Sequence, residues 1–428
     1  MKTKKLIASI YLYQKHAVKS LADTTIIDTN PVRLAKYYCE NNADLILVFD
    51  MSGNDQEHED SLDIMKEICA SAEVDVYGAG NVHRMEDIKK ILYTGCKKAV
   101  LNYSKEQNIE ITKEVSLKFG KDKILAAVND VNTILQNKDG IEEYISGLLL
   151  MNPHMTKEVS SCLEIPLYIH IEQLALNKLL ETLSNDNVVG ITGNSVNDNA
   201  KELSSLKNLL RENGIMTASL DAKYEWSDFK LNSDGMLPVV VQDYKTDEVL
   251  MVAYMNEESY QKTLETGKMC YFSRSRQELW LKGDTSGHYQ YVKSLTADCD
   301  MDTLLAKVSQ VGAACHTGKY SCFFNEVVKK DYEENSNPLK VFEDVYNIIL
   351  DRKANPKEGS YTNYLFDKGI DKILKKLGEE ATEIVIAAKN PNPNEVKYEI
   401  SDFLYHMMVL MAERNISWEE ITTELANR

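Results

Sequence analysis

The run Leu6-Ile7-Ala8-Ser9-Ile10-Tyr11-Leu12-Tyr13 follows a basic start containing Lys2, Lys4 and Lys5, and its reading decides the architecture of the first half of the chain. As the apolar core of a secretion signal it would be cut away. It is short, however, carries Tyr11 and Tyr13, and leads into no small-residue cleavage pattern. It is therefore expected to be the first core strand of a folded domain. Comparable β-like runs recur at 44–51, 74–80, 99–103, 124–129, 147–151, 166–170 and 188–193. Amphipathic stretches such as 31–42, 85–94 and 200–213 separate them, although 129–147 is weaker as a helix. This alternation predicts an α/β domain, a (β/α)8 barrel, with an open doubly wound sheet as the alternative.

The remainder of the chain changes character. After Ile215 a polar, aromatic-dotted stretch, 216–235, reads as a linker. Residues 236–325 read as β-rich α+β structure with one or two helices, for example 301–311. A polar gap at 329–338 precedes an apolar-faced helical region, 339–427, expected to be an all-α bundle. The expected domains are 1–220, 221–328 and 336–428. A chain of 428 residues suits two or three domains.

A net charge of −17 argues against a nucleic-acid surface and against anionic membranes, but not against a small anionic substrate. No run approaches the ~18 apolar residues of a membrane span, and a cytoplasmic location is expected. Eight cysteines in a chain this long are not a disulfide framework. Cys39, Cys69, Cys96 and Cys162 read as buried small hydrophobes.

The chemistry concentrates in Asp298-Cys299-Asp300-Met301-Asp302, followed by Cys315-His316 and Cys322. Carboxylates at alternate positions offer hard oxygens for magnesium, and thiolates offer soft ligands for zinc. His288, in Ser286-Gly287-His288, adds a group that titrates near neutral pH. On spacing alone each has a plain structural reading. The cysteines form no CxxC pair, Asp-x-Asp-x-Asp is commonly a solvated turn, and a histidine beside glycine is commonly a surface turn.

The surrounding blocks are Val241-Gln242-Asp243, Leu250-Met251-Val252-Ala253-Tyr254-Met255-Asn256, Ser273-Arg274-Ser275-Arg276 and Trp280-Leu281-Lys282-Gly283-Asp284-Thr285-Ser286-Gly287-His288. With the Asp/Cys run they closely resemble phosphoribosyl-AMP cyclohydrolase, over nearly all of 236–324. Asp284 stands where that family usually has glutamate. The resemblance implies addition of water to the adenine ring and opening of its N1–C6 bond. It implies zinc on Cys299, Cys315 and Cys322 with one position left for water, and magnesium on Asp298, Asp300 and Asp302. His288 would be the general acid or base. Arg274 and Arg276 would take the 5′-phosphate, Trp280 would stack on the base, and Lys282 would contact substrate. A homodimer with the site at its interface is implied as well.

In the helical region, Glu379, Glu380 and Glu383 are followed by Glu399 and Asp402, the pattern E-E-x-x-E then E-x-x-D. Like charges at helical spacing cost roughly 0.2–0.5 kcal/mol per pair. Glu383 leads into Ile384-Val385-Ile386 and Asp402 lies among Ile400, Phe403 and Leu404, so these acids are expected to be partly buried. An unpaired buried charge is costly, and magnesium between facing helices would relieve it. With Ser360-Tyr361-Thr362, Lys375-Lys376 and His406, this region resembles phosphoribosyl-ATP pyrophosphatase, of the all-α nucleotide pyrophosphohydrolases. The resemblance implies magnesium on Glu379, Glu380, Glu383, Glu399 and Asp402, and water attack between the α- and β-phosphates assisted by Glu380 and Glu383. Lys375, Lys376 and Lys389 would supply charge for the phosphates. The two implied reactions are consecutive, with small nucleotides as substrates.

The first domain resembles a diverged relative of the histidine-pathway barrels, in Asn30-Pro31-Val32-Arg33-Leu34-Ala35-Lys36-Tyr37-Tyr38, Gly78-Ala79-Gly80 before Met85-Glu86-Asp87, and Val189-Gly190-Ile191-Thr192-Gly193. Where those enzymes place catalytic aspartates, this chain has Tyr11 and Asn129. Ile169-His170-Ile171 replaces one phosphate turn and Gly193-Asn194 retains part of another. Asp130 would substitute only after a register shift. The barrel is expected to be non-catalytic, with residual isomerase or partner docking as alternatives.

Overall fold

The computed structural model describes residues 3–173, 175–328 and 338–426. Most of the polar gap expected at 329–338 lies outside them, as do Met1, Lys2 and the last two residues. The chain divides into two units, Met1–Asn325 and Glu326–Arg428. The first contains both the α/β domain and the β-rich module.

β1 (Lys5–Tyr13) continues into an antiparallel hairpin, β2 (His16–Val18) and β3 (Ile26–Asp28), that the sequence reading did not anticipate. Parallel strands follow: β4 (Leu45–Asp50), β5 (Val76–Ala79), β6 (Lys98–Asn102), β7 (Ile124–Val128), β8 (Leu148–Leu150), β9 (Leu167–His170) and β10 (Val188–Thr192). Each pairs with the next, and β10 pairs back onto β1, so the sheet closes as an eight-stranded barrel. The doubly wound alternative is thereby excluded. Both faces of these strands are buried, which is why they read as continuous apolar runs. Along β1, Leu6, Ala8, Ile10 and Leu12 face the helical layer, while Ile7 and Tyr11 face the lumen. The weak segment 129–147 holds two short helices, Val131–Gln136 and Lys138–Tyr144. Asp130 caps the first, accepting the Thr133 N–H at 2.8 Å, so it serves as a helix cap and is exposed.

In the β-rich module, β11 (Leu237–Asp243), β12 (Val249–Met255), β15 (Gln290–Ala297) and β16 (Leu304–Gln310) form a sheet of order β12-β11-β16-β15. A separate hairpin pairs β13 (Cys270–Ser273) with β14 (Glu278–Leu281). The helix expected at 301–311 is in fact β16. Leu304, Ala306 and Val308 are buried while the residues between them are partly exposed, a period of two. Leu304, Val308 and Val311 also fit helical spacing, which explains the misreading. The helix of this module is Glu257–Thr266, capped by Asn256. The linker assigned to 216–235 is partly core: Trp226 and Phe229 pack on Tyr260 with ring centroids 5.6 and 5.5 Å away.

The second unit is helical, with helices Pro338–Ala354, Tyr361–Lys368, Ile370–Ala387, Pro393–Arg414 and Trp418–Ala426. Its core gathers Tyr346, Ile349, Leu365, Ile373, Met408 and Val409. No helix among the described residues is long and apolar enough to cross a membrane. Of the four cysteines expected to be buried, only Cys96 is; Cys39, Cys69 and Cys162 are half-buried.

Candidate functional site

β15 ends at Ala297, and the chain returns into β16 through a tight turn that carries the acidic run. The Asp298 carboxylate accepts the N–H groups of Asp302 at 3.0 Å and Thr303 at 3.2 Å. Partial desolvation works against ionisation of Asp298, but those two N–H donors outweigh it and hold the acid below its usual range. Oxygens of Asp298, Asp300 and Asp302 lie within 4.8 Å of one another, all exposed. Cys299 is exposed on the same turn.

The other two cysteines sit elsewhere in the module. Cys315 is buried and accepts the Thr317 hydroxyl at 3.1 Å, which holds its thiol below the ordinary range. Cys322 lies beside it, pushed up by burial and by the neighbouring sulfur. Lys282 is buried, donates to the Ala314 carbonyl at 2.5 Å and faces both sulfurs. Its ammonium is thus turned inward, toward the thiol pair. Among the described residues no group of three metal-ligating side chains joins Cys299 to Cys315 and Cys322. A single chain brings together two of the three sulfurs.

His288 is half-buried, its ring lying against Gly312. A Cβ at that glycine would meet His288 Cδ2 at 2.7 Å and Nε2 at 2.9 Å. Arg274 and Arg276 follow β13 and are exposed. The Arg274 guanidinium lies 3.8 Å over the Tyr254 ring, whereas Arg276 is engaged by Glu278 at 3.2 Å. Trp280 on β14 packs partly against Tyr271, at 5.6 Å between centroids. A groove of about 790 Å³ runs along β15 to the acidic turn, lined by Tyr224, Tyr260, Leu295, Asp298, Cys299 and Met301 among others.

In the helical unit, Glu380 and Glu383 on helix Ile370–Ala387 meet Glu399 on helix Pro393–Arg414, with oxygens within 4.8 Å. Burial, and then the carboxylates of Glu383, Glu380 and Asp402, raise the Glu399 pKa. Glu379 is turned aside, paired with Lys375 at 3.4 Å and Lys376 at 3.0 Å. Asp402 is exposed and outside the triad. Its backbone carbonyl accepts His406 Nδ1–H at 2.8 Å, which leaves Nε2 to accept the Tyr361 hydroxyl at 3.1 Å. Sequence reasoning quoted Tyr361 and His406 without seeing this chain of bonds; the i, i+4 spacing of Asp402 and His406 was its one signal.

Glu380 is buried between Lys376 and His406, 3.7 Å from each, and Glu379 and Glu399 are half-buried, as expected of partly buried acids. Glu383 and Asp402 are exposed because the apolar residues around them are uncovered: Val385 is 64% and Ile386 61% exposed, with Tyr398 and Ile400 exposed on the second helix.

The barrel is different. Tyr11 stacks on Phe49 at 5.2 Å, and both meet His170 edge-on, filling the C-terminal mouth where barrel active sites ordinarily lie. The Tyr11 hydroxyl bonds His170 Nε2 at 3.0 Å. Burial drives the His170 pKa down to about 4, so its imidazole is neutral, and holds the Tyr11 phenol well above its usual value. Asn129 is exposed beyond β7, and Gly193-Asn194 leads into a single helical turn.

Comparison with known proteins bears on each region. Residues 251–324 match the family Phosphoribosyl-AMP cyclohydrolase, 342–428 match Phosphoribosyl-ATP pyrophosphohydrolase, and 5–155 match Histidine biosynthesis protein. The chain is 54% identical over 209 residues to the histidine biosynthesis bifunctional protein HisIE of Thermoanaerobacter pseudethanolicus, covering 46% of this chain and 97% of that one. It is 47% identical over 201 residues to the protein of the same name from Bacillus subtilis, covering 47% and 95%. The Lactococcus lactis counterpart is 51% identical over 193 residues, covering 45% and 88%.

Proposed function

The chain belongs to the histidine biosynthesis bifunctional HisIE family, a bifunctional cyclohydrolase and pyrophosphohydrolase, and from that premise we propose the course of its reactions, its metals, its assembly and the role of its barrel. The helical unit hydrolyses phosphoribosyl-ATP to phosphoribosyl-AMP and pyrophosphate. The central module then opens the adenine ring at N1–C6 to the formimino ribotide, so that the two act as steps two and three of histidine biosynthesis. The observation that carries this reading is the pairing, in one chain, of a crowded glutamate triad with a thiol pair, each in the region that matches the corresponding hydrolase.

Both donor sets fit metals. Glu380, Glu383 and Glu399 gather three carboxylates, with burial and the neighbouring acids raising the Glu399 pKa, and they would make a hard-oxygen set for magnesium. Asp298, Asp300 and Asp302 offer a second such set. Cys315 and Cys322 are soft ligands for zinc, with Cys299 as the third. When bound, zinc would polarise water at neutral pH and magnesium would neutralise phosphate charge. The chain's own groups do the rest. Gly312 leaves room for the His288 ring, which would move the proton. The Asp402 carbonyl fixes the His406 tautomer, and Lys375 and Lys376 stand beside the triad as counter-charge for phosphates.

Assembly as a homodimer is supported by two features. Cys299 lies apart from the other cysteines of its own chain, and Val385, Ile386, Tyr398 and Ile400 leave an apolar face open on the helical unit. The barrel performs no isomerisation: aromatic packing occupies the mouth, and neither Tyr11 nor Asn129 supplies a carboxylate. The test is incubation with phosphoribosyl-ATP. Pyrophosphate and a ring-opened chromophore must both appear; general cleavage of nucleoside triphosphates without ring opening would reject the assignment.

A further inference from the structure

The barrel and the central module share one unit, and strand β15 is one of the elements through which they touch, at Tyr291 and Lys293. This strand begins just after His288 and ends just before Asp298 and Cys299, so its path sets the separation of those groups. It is the end strand of its four-stranded sheet, paired with β16 along its length. On the other side only its first residues are held, by the segment 267–269, where Met269 N–H bonds the Gln290 carbonyl and Val292 N–H bonds the Gly267 carbonyl, each at 2.9 Å. Its pairing with β16 skips a residue: Val292 faces Val308 and Ser294 faces Lys307, which leaves Lys293 as a bulge. Bulges redirect the strand that follows and shift which face its side chains occupy.

The bulged residue is among those the barrel holds. The Lys293 ammonium is paired with the carboxylate of Glu73, on the barrel segment entering β5. Tyr244 of the central module donates its hydroxyl to the same carboxylate at 2.8 Å, and the lysine lies 5.1 Å over the Tyr244 ring. Next along the strand, the Tyr291 hydroxyl is 3.4 Å from Asn41 Nδ2; on β16, Ser309 bonds Glu40 at 3.0 Å. Asn42 fits so closely against Gly267 that a Cβ there would come within 2.4 Å of its amide. Glu40, Asn41, Asn42 and Glu73 all precede barrel strands. They belong to the N-terminal end, the end a barrel uses for stability rather than chemistry.

We propose that the barrel is an intramolecular brace: through Glu73 on the bulged Lys293 it fixes the path of β15 and so positions the Asp298–Cys299 turn relative to His288. Glu73 and Lys293 are positioning residues. Neither is among the metal-ligating or proton-moving groups, although Lys293 also borders the groove along β15, and they act through the strand. The inference rests on the cyclohydrolase reading of the central module for its activity arm alone.

The test compares the full-length chain with its Glu73→Lys variant, the Lys293→Glu variant and the double charge swap. A partly exposed pair of this kind is worth enough to change a rate about two- to fivefold. Each single variant should lower kcat for ring opening of phosphoribosyl-AMP by that factor, leaving pyrophosphate release from phosphoribosyl-ATP unchanged in the same chain; the swap should recover it. Hydrogen exchange, which needs no substrate, should quicken over 293–303 and stay constant over 249–255. Should a charge reversal fail to fold, Glu73→Gln keeps the shape and gives the same exchange readout. Unchanged exchange over 293–303 overturns the brace, as does a loss shared equally by both activities or one the swap leaves in place. If the unaltered chain opens no ring while exchange responds as expected, the cyclohydrolase reading fails and the brace stands.

Discussion

The barrel mouth and the helical glutamate cluster are both polar sites by ancestry of pattern, yet they have opposite physics. In the stack at the mouth the polar pair is closed: the Tyr11 hydroxyl meets His170, the histidine is neutral, and Phe49 packs against both. In the cluster, Glu380, Glu383 and Glu399 crowd together and Glu399 takes up a proton more readily than a free glutamate. A site kept for chemistry holds unbalanced charge that a ligand must complete. The aromatic stack instead holds its tyrosine and histidine uncharged against each other.

Four measurements press on that contrast. The largest effect is expected from Cys315→Ala, which removes a sulfur from the thiol pair. Ring opening should fall by about 100-fold or more while pyrophosphate release persists, read by assaying both products. Equal loss of both would contradict separate sites. Next, Tyr11→Asp restores a carboxylate beneath Phe49 and His170. Denaturant titration should show a loss of roughly 3–5 kcal/mol, since the acid is buried without a cationic partner. A neutral effect would mean that the mouth is open.

The third concerns acid. His170 titrates near 6.5 when unfolded and at about 4 when folded, so in that window the unfolded chain binds the extra proton. The first unit should therefore lose stability as pH falls from about 6.5 to 4, by up to about 3 kcal/mol, and His170→Gln should flatten the decline. The smallest effect is thermal. Magnesium should raise the melting temperature of the second unit by a few degrees through mass action, and Glu399→Gln should abolish the rise while raising the metal-free melting temperature.

Closed barrel topology was legible because buried parallel strands announce themselves as uninterrupted apolar runs, and all eight were found within a few residues. The hairpin β2–β3 was missed, since strands of three residues carry too little pattern. β16 was mistaken for a helix because Leu304, Val308 and Val311 satisfy both periods. At the sites, residue identity gave the candidates, whereas geometry decided between neighbours. Glu379 and Glu380 are adjacent in sequence, but helical rotation sends one to the lysines and the other to the triad. Lys282 reads as a substrate contact, and its burial beside Cys315 and Cys322 is a tertiary fact. The docking of Glu73 on Lys293 joins positions 220 residues apart, beyond any local pattern.

The Tyr11–Phe49–His170 stack has a consequence for the history of the barrel. Recovering an acid at the mouth requires clearing the aromatic neighbours too, and each step taken singly either buries a charge or opens a void. No intermediate along that route is better folded than its starting point. The packing would thus resist any charged group introduced among these three rings by a single substitution.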